Sequence, residues 1–213
     1  MLQVKQWEVM NLKNALRGAR NPMNSWDRCD SHADDDGSWV LGPNDLDLAR
    51  RLCRTGSDHR KFLRQIIVCA DVLAPLYWWK EFDTYKVGTV ANSTSTMHKI
   101  HSKPFCLNDF SVDHITPESQ PVMLKLVEHL EQLRLQYITG DRKNKELWYT
   151  IIQMLPSSYD QLRTVTLNYE NLVNIHAARR HHKLTEWHTF CDWIETLPYA
   201  ADLITLQPEE ESI

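Results

Sequence analysis

The chain has 213 residues, of which 42% are hydrophobic and 24% are charged, as in an ordinary globular protein. It contains no run of about 18 apolar residues, and its N-terminal stretch lacks the apolar core and cleavage site of a secretory signal. The formal net charge of −4 argues against a protein that coats nucleic acid through bulk charge. We expect one domain over residues 1–213, with an acidic tail over 206–213 and no membrane span.

The cysteines and histidines give little sign of a metal or a disulfide framework. The cysteines are odd in number and form no CxxC pair, which favours reduced thiols and a cytosolic protein. No two histidines in the stretch HAARRHHKLTEWH have the i, i+4 spacing of helical zinc ligands, and His98 and His101 lack a third ligand nearby in sequence. We therefore predict no metal site. The five cysteines are Cys29, Cys53, Cys69, Cys106 and Cys191.

Hydrophobic periodicity and turn residues predict the elements in the first half of the chain. Residues 7–20 predict a strand that enters a short helix, and residues 21–39 have the composition of an exposed loop. Residues 42–56 predict a helix that Asn44 or Asp45 caps. Further elements are a buried strand over 65–75, a helix over 75–86, and a hydroxyl-rich stretch over 87–99 without a clear assignment.

Helices dominate the second half. Apolar residues spaced four and three apart predict a long helix over 120–140, and a shorter helix over 143–156 stops before its proline. A third helix is predicted over 166–187. The pattern as a whole indicates a helix-rich α/β fold, an α+β arrangement with a central sheet.

The helix predicted over 166–187 places two polar side chains on its apolar stripe. Asn168, Leu172, Ile175 and Arg179 follow one another at spacings of four, three and four. An arginine left unpaired in the interior would cost about 3–5 kcal/mol. Arg179 therefore either pairs with a core carboxylate or faces a ligand, and the sequence leaves both open.

The hydroxyl-rich stretch GTVANSTSTMHK is a second candidate site. Its serines and threonines, with Lys99 close behind, have the donors to hold a phosphate, although the local sequence favours a polar connecting loop. The chain has no GxSxG, GxGxxG or GxxxxGK[ST] motif. The hydroxyl-bearing residues are Ser93, Thr94, Ser95 and Thr96.

The stretch LPSSYDQLRTVTLNYENLVNIHAARRHHKLTEW resembles the C-terminal signature of flavin-dependent thymidylate synthases. In that family an asparagine follows a Leu-Pro pair by twelve residues, and an arginine follows eleven later; Pro156, Asn168 and Arg179 keep both spacings. Residues 48–82 are similar to the family's helix, His-containing turn, strand and proline-initiated helix, and 11–26 to its Arg-Ala-Ala-Arg segment. The resemblance covers most of residues 8–197.

The chain departs from the family at the Arg-His-Arg motif that holds flavin and deoxyuridylate. Ser95 matches the serine of that motif, but cations are lost elsewhere. The substituted positions are Thr84, Tyr85 and Lys86 for Arg-His-Arg, Met97 for an arginine, Glu81 for a glutamine, and Ile152 near another phosphate-binding arginine.

The resemblance implies reductive methylation of dUMP at C5, with FAD as cofactor and methylenetetrahydrofolate and NADPH as co-substrates. It also implies a homotetramer with sites shared between subunits. By the same resemblance, Arg179 is the catalytic residue and polarises the pyrimidine, while Ser95, Lys86 and Glu81 bind the substrate. The implied cofactor-binding residues are Asn168, Asn174, His59, Tyr85 and Lys86.

Two other functions remain compatible with the altered motif. One is a related transfer to a pyrimidine nucleotide, such as C5 hydroxymethylation, in which the substituted cations reflect a changed substrate. The other is a non-catalytic nucleotide-binding or assembly protein that keeps the fold without the flavin.

Overall fold

The computed structural model describes residues 2–206, so all of the expected acidic tail except Leu206 lies outside the described residues. The chain mixes helices and strands, as the sequence predicts. Its contacts group the residues into two compact units, each described here by itself. Among the described residues, unit 1 consists of 2–3, 72–84 and 92–163, and unit 2 consists of 4–71, 85–91 and 164–206.

The strands form one four-stranded sheet, in the order β1-β4-β6-β5, and one two-stranded hairpin of β2 and β3. The hairpin is antiparallel, with His32 opposite Val40. In β4 every second residue is buried, so the strand predicted over 65–75 is confirmed. The strands are β1 (Gln3–Met10), β2 (His32–Ala33), β3 (Trp39–Val40), β4 (Ile67–Pro75), β5 (Val90–Ser93) and β6 (Asp160–Asn168).

The helices follow the predicted apolar spacing in most places. None in the described part of the chain is long and apolar enough to cross a membrane. Short 3₁₀ turns occupy part of the predicted exposed loop and the segment before β4. The α-helices are α1 (Leu12–Ala19), α2 (Pro43–Arg54), α3 (Leu76–Phe82), α4 (Thr96–Lys99), α5 (Gln120–Thr139), α6 (Lys145–Met154), α7 (Tyr169–Arg179), α8 (Thr185–Glu195) and α9 (Ala200–Leu203).

The predicted cap of α2 is wrong, because a side chain from outside the helix supplies it. The Asp30 carboxylate accepts hydrogen bonds from the backbone N–H groups of Asn44 (2.8 Å) and Asp45 (3.0 Å). A Cβ on Gly42 would lie 2.3 Å from Cγ of Asp30, so only glycine lets this carboxylate approach. Asp45 itself turns inward and pairs with Arg20.

The core of unit 1 forms where α5 packs against α6 and the segment before α5. The long helix predicted over 120–140 is confirmed, and Leu130 and Leu133 of its predicted stripe are buried. Arg134 is also buried, and its guanidinium forms two hydrogen bonds to the Glu131 carboxylate. The charge of this arginine is therefore satisfied within its own helix.

The single helix predicted over 166–187 is wrong. Residues up to Asn168 belong to β6, where Val165 and Leu167 are buried and alternate with less buried threonines. The helix then runs only to Arg179, and α8 starts after a turn that His182 stabilises. His182 accepts at Nδ1 from the backbone N–H of Leu184, and its carbonyl contacts Nε2 of His188 at 2.7 Å.

The buried Arg20–Asp45 ion pair provides a test of this part of unit 2. Nε of Arg20 lies 2.6 Å from Oδ1 of Asp45, and the carboxylate is fully buried. Asp45→Ala leaves a buried arginine without its partner, so we expect the free energy of unfolding to fall by about 3–5 kcal/mol. The matched control on the same helix is Asp47→Ala, which removes an exposed pair with Arg51 and should cost about 0.5 kcal/mol or less. Equal losses in urea melts would contradict this assignment.

The same pair predicts how stability depends on pH. Burial raises the pKa of Asp45, but hydrogen bonds from Ser31, Arg20 and Cys29 outweigh it, so the net pKa is lowered. The stabilisation is therefore present above the ordinary carboxyl pKa of about 4 and is lost as the pH falls below it. Melts of wild type and Asp45→Ala should converge at acidic pH; a constant gap across this range would contradict the prediction.

Candidate functional site

The segment 85–91 lies along α7 within unit 2. It includes Tyr85 and Lys86, which the resemblance aligns with part of the Arg-His-Arg motif. Asn168 and Asn171 form a capping box at the start of this helix: the side chain of each accepts from the backbone N–H of the other, at 2.9 and 3.0 Å. Nδ2 of Asn171 then donates to the carbonyl of Val87 at 2.7 Å. One asparagine thus both caps the helix and holds the segment.

Gly88 brings the backbone of this segment against Asn168. Its φ is +75°, in the left-handed region that favours glycine, and a Cβ there would lie 2.8 Å from Nδ2 of Asn168. Asn168 is only 8% exposed, and its side-chain oxygen is engaged in the cap. The close approach therefore depends on glycine at position 88.

Arg179 meets two aromatic rings at the other end of α7. Its Nε donates to the hydroxyl of Tyr85 at 2.9 Å. The guanidinium carbon lies 4.9 Å from the centre of the Trp187 ring and 5.6 Å from that of Tyr85. Such cation–π contacts stabilise an arginine by about 0.5–2 kcal/mol without removing its charge. Because the side chain is half-buried, its guanidinium stays within reach of a ligand.

A second arginine supports the beginning of α7. Arg60 donates two hydrogen bonds to the carboxylate of Glu170, at 3.0 and 3.2 Å, and Glu170 lies in the first turn of the helix. The 3₁₀ turn Arg60–Gln65 packs against α7. His59, which precedes that turn, is exposed.

The remaining predicted site residues fall into both units. Lys86 and Asn174 are exposed in unit 2, where Tyr85, Asn168 and Arg179 also lie. Glu81 and Ser95 belong to unit 1. Ser95 caps α4, and its hydroxyl oxygen accepts from the backbone N–H of His98 at 3.0 Å.

The residues of unit 2 fit a flavin only in part. Lys86, His59 and Asn174 are exposed and offer a cation, an imidazole and an amide, which suit the phosphates and polar edges of a dinucleotide. Asn168 is committed to the helix cap and lies against Gly88. Any contact between Asn168 and a ligand therefore has to come from its amide nitrogen.

The two buried cysteines, Cys53 and Cys191, are not activated for nucleophilic attack. Burial raises the pKa of the Cys53 thiol to about 12 and that of Cys191 to about 11, so both stay protonated at neutral pH. All five cysteines are free thiols, as the sequence predicts. Within residues 2–206, no three His, Cys, Asp or Glu side chains cluster in a way that would hold a metal ion.

Two residues of this arrangement were missed by sequence reasoning. Trp187 ends the stretch that resembles the family signature and was given no role, although its ring contacts the Arg179 guanidinium. Asn171 was not singled out, yet the pattern Asn-x-x-Asn after an alternating strand is the signature of a capping box. That pattern would have placed the start of the helix at Tyr169.

Comparison with known proteins supports the same fold. No family model matches the sequence, and no curated protein matches it. Among solved structures, thymidylate synthase X from Helicobacter pylori with FAD and dUMP has a TM-score of 0.68 at 17% identity, over 96% of this chain and 97% of that one. A second structure of that enzyme, also complexed with FAD and dUMP, has a TM-score of 0.66 at 18% identity, over 95% and 97%.

A third similar structure is a UMP/dUMP methylase, PolB from Streptomyces cacaoi, bound with 5-Br dUMP. Its TM-score is 0.60 at 14% identity, over 92% of this chain and 89% of that one. The similarity covers nearly the whole of each chain while the identities stay low. This chain therefore has the fold of the flavin-dependent thymidylate synthases.

Gly88 gives a test of the contact between segment 85–91 and α7. In Gly88→Ala the alanine has to adopt a left-handed backbone conformation, which lowers the stability by about 1–2 kcal/mol. Its Cβ also overlaps Asn168, whose side chain the helix cap holds in place, and this overlap costs about 1–3 kcal/mol. Gly37→Ala is the matched control, because Gly37 has φ +84° and open space around its Cβ position, so only the first cost applies. Thermal melts should separate the two variants; identical shifts would mean that the segment does not pack against Asn168.

Proposed function

We propose that this protein is a flavin-dependent methyltransferase that acts at C5 of a pyrimidine nucleotide, with dUMP as the substrate. The observation that carries the proposal is the Arg179 guanidinium, which two aromatic rings hold half-exposed at the end of α7. The whole-chain similarity to enzymes crystallised with FAD and dUMP supports it.

Arg179 recognises and polarises the pyrimidine. A guanidinium presents N–H groups in one plane, which suits a carbonyl oxygen of the base. C5 is nucleophilic when the base has enolate character, with negative charge on a carbonyl oxygen, and a fixed cation at that oxygen stabilises this form. Tyr85 and Trp187 position the guanidinium, since one accepts from its Nε and both contact its face.

The other residues bind and orient the ligands. Lys86 of unit 2 binds the nucleotide phosphate, and the resemblance also assigns substrate binding to Ser95 and Glu81 of unit 1. His59, Asn174, Tyr85 and Lys86 hold the FAD, with the Asn168 amide nitrogen. Methylenetetrahydrofolate brings the one-carbon unit and NADPH the reducing equivalents. A bound flavin would supply the hydride that completes the methyl group, and the hydrogen on C5 would leave as a proton.

The first test is the absorbance of the purified protein. Oxidised flavin absorbs near roughly 450 nm, so wild type should carry this band as purified or after incubation with FAD. A protein that stays colourless with excess FAD would contradict the proposal and favour a non-catalytic nucleotide-binding protein.

Arg179→Ala tests the substrate role. We expect dUMP affinity to fall by at least about tenfold, because the polar partner of the base is lost. The cation–π contacts and the hydrogen bond to Tyr85 account for about 1–2 kcal/mol of the free energy of unfolding that this variant should lose. The control is Arg180→Ala, whose partners are Asp192 and Glu195. Unchanged dUMP affinity, or a stability loss of about 3–5 kcal/mol, would mean that Arg179 is structural.

We further propose a homotetramer. Leu124 and Leu135 on α5 support it, because they lie three turns apart on one side of the helix and are 46% and 45% exposed. Light scattering at micromolar concentration should give four times the monomer mass. A monomer would contradict the tetramer and any site that needs a second subunit.

A further inference from the structure

Unit 1 contains a pocket that the proposed function does not use. It has a volume of about 590 Å³ and lies at the turn between α5 and α6, beside α4. Its lining includes three cations from one short stretch, Arg142, Lys143 and Lys145, together with the rings of Trp148 and Tyr149. Pockets of about 300–1,000 Å³ suit small organic ligands.

The three cations have no anionic partner in the described part of the chain. Each is exposed, and none takes part in an ion pair among residues 2–206. Other arginines of unit 1 are paired: Arg134 with Glu131, and Arg163 with Asp83. In a chain of net charge −4, this cluster is a local concentration of unpaired positive charge.

The imidazole of His101 lies in the same positive field. His101 lines the pocket, and its Nδ1 is buried without a hydrogen-bond partner among the described residues. Burial lowers the pKa of His101, and the charges of Arg142, Lys99 and Arg134 lower it further. The positive charges near His101 therefore favour the neutral form of its imidazole.

The aromatic side chains offer a face for a planar ring. Tyr149 is 54% exposed, and its ring meets that of Trp148 edge to face at 4.8 Å. Trp148 is fixed, because its Nε1 donates to the carbonyl of Met97 at 3.1 Å. Because the fixed indole supports it, the exposed phenol ring of Tyr149 is suited to stacking with a nucleobase. Every base has a flat face that permits such stacking.

We propose that this pocket binds a nucleotide, with its phosphates on Arg142, Lys143 and Lys145 and its base on Tyr149. The cations neutralise two or three phosphate charges. The aromatic ring provides a stacking surface for the base, so the pocket suits a nucleotide better than free phosphate. The site goes beyond the proposed function, since all of its residues belong to unit 1 and Arg179 is not among them.

Calorimetric titration with ADP, pyrophosphate and adenosine tests each part of the site. ADP should bind more tightly than either fragment, and more weakly as salt is raised. The triple variant Arg142→Gln/Lys143→Gln/Lys145→Gln should lose at least about tenfold in ADP affinity, equal to about 1.4 kcal/mol. The matched control is Lys5→Gln/Lys61→Gln/Lys125→Gln, which removes three exposed charges outside the pocket and should bind ADP as wild type does.

Tyr149→Ala tests the stacking face separately. It should weaken ADP by about fivefold or more while leaving pyrophosphate unchanged, because only the base loses its contact. Equal ADP affinity in wild type and the pocket triple variant overturns the proposal, as does wild type that does not bind ADP. Tighter binding of a single-stranded oligonucleotide than of ADP would assign the pocket to nucleic acid instead. Because ADP carries no pyrimidine, a failed dUMP titration leaves this result unaffected.

Discussion

The attachment of segment 85–91 to α7 determines the arrangement of the candidate site. Asn171 holds the segment at the beginning of the helix through the carbonyl of Val87, and Arg179 holds it at the end through the hydroxyl of Tyr85. Gly88 lets the backbone approach Asn168, the N-cap residue of the helix. The position that the resemblance assigns to an Arg-His-Arg motif thus contains a segment that orients Arg179, with Lys86 as its one cation.

The sequence predicted the elements that have regular apolar spacing or a clear β-rich composition. The spacing of Leu130 and Leu133 located α5, and the β-rich run that stops at Pro75 located β4. The alternation of buried and less buried residues from Thr164 to Leu167 is typical of a strand and belongs to β6. The helical spacing begins only at Asn168, so the predicted helix started too early in the chain. Asn168 satisfies both patterns, because it ends the strand and caps the helix.

The contacts of Arg179 were beyond sequence reasoning. Tyr85 lies 94 residues away in the chain, and no local pattern pairs the two. The alternatives considered were a carboxylate and a ligand, whereas an aromatic face also accepts a guanidinium. The similarity of spacing to flavin-dependent thymidylate synthases identified the fold, but it carried no information on which side chains hold the arginine.

We propose that Arg179 activates a pyrimidine for substitution at C5. Substitution at C5 releases the hydrogen bound there, so tritium release from [5-³H]dUMP measures the step directly, whether a methyl or a hydroxymethyl group is transferred. With FAD, NADPH and methylenetetrahydrofolate, wild type should release tritium to water, and Arg179→Ala should reduce the rate by about a hundredfold or more. Wild type that binds dUMP without releasing tritium, or Arg179→Ala that releases it at the wild-type rate, would contradict the claim.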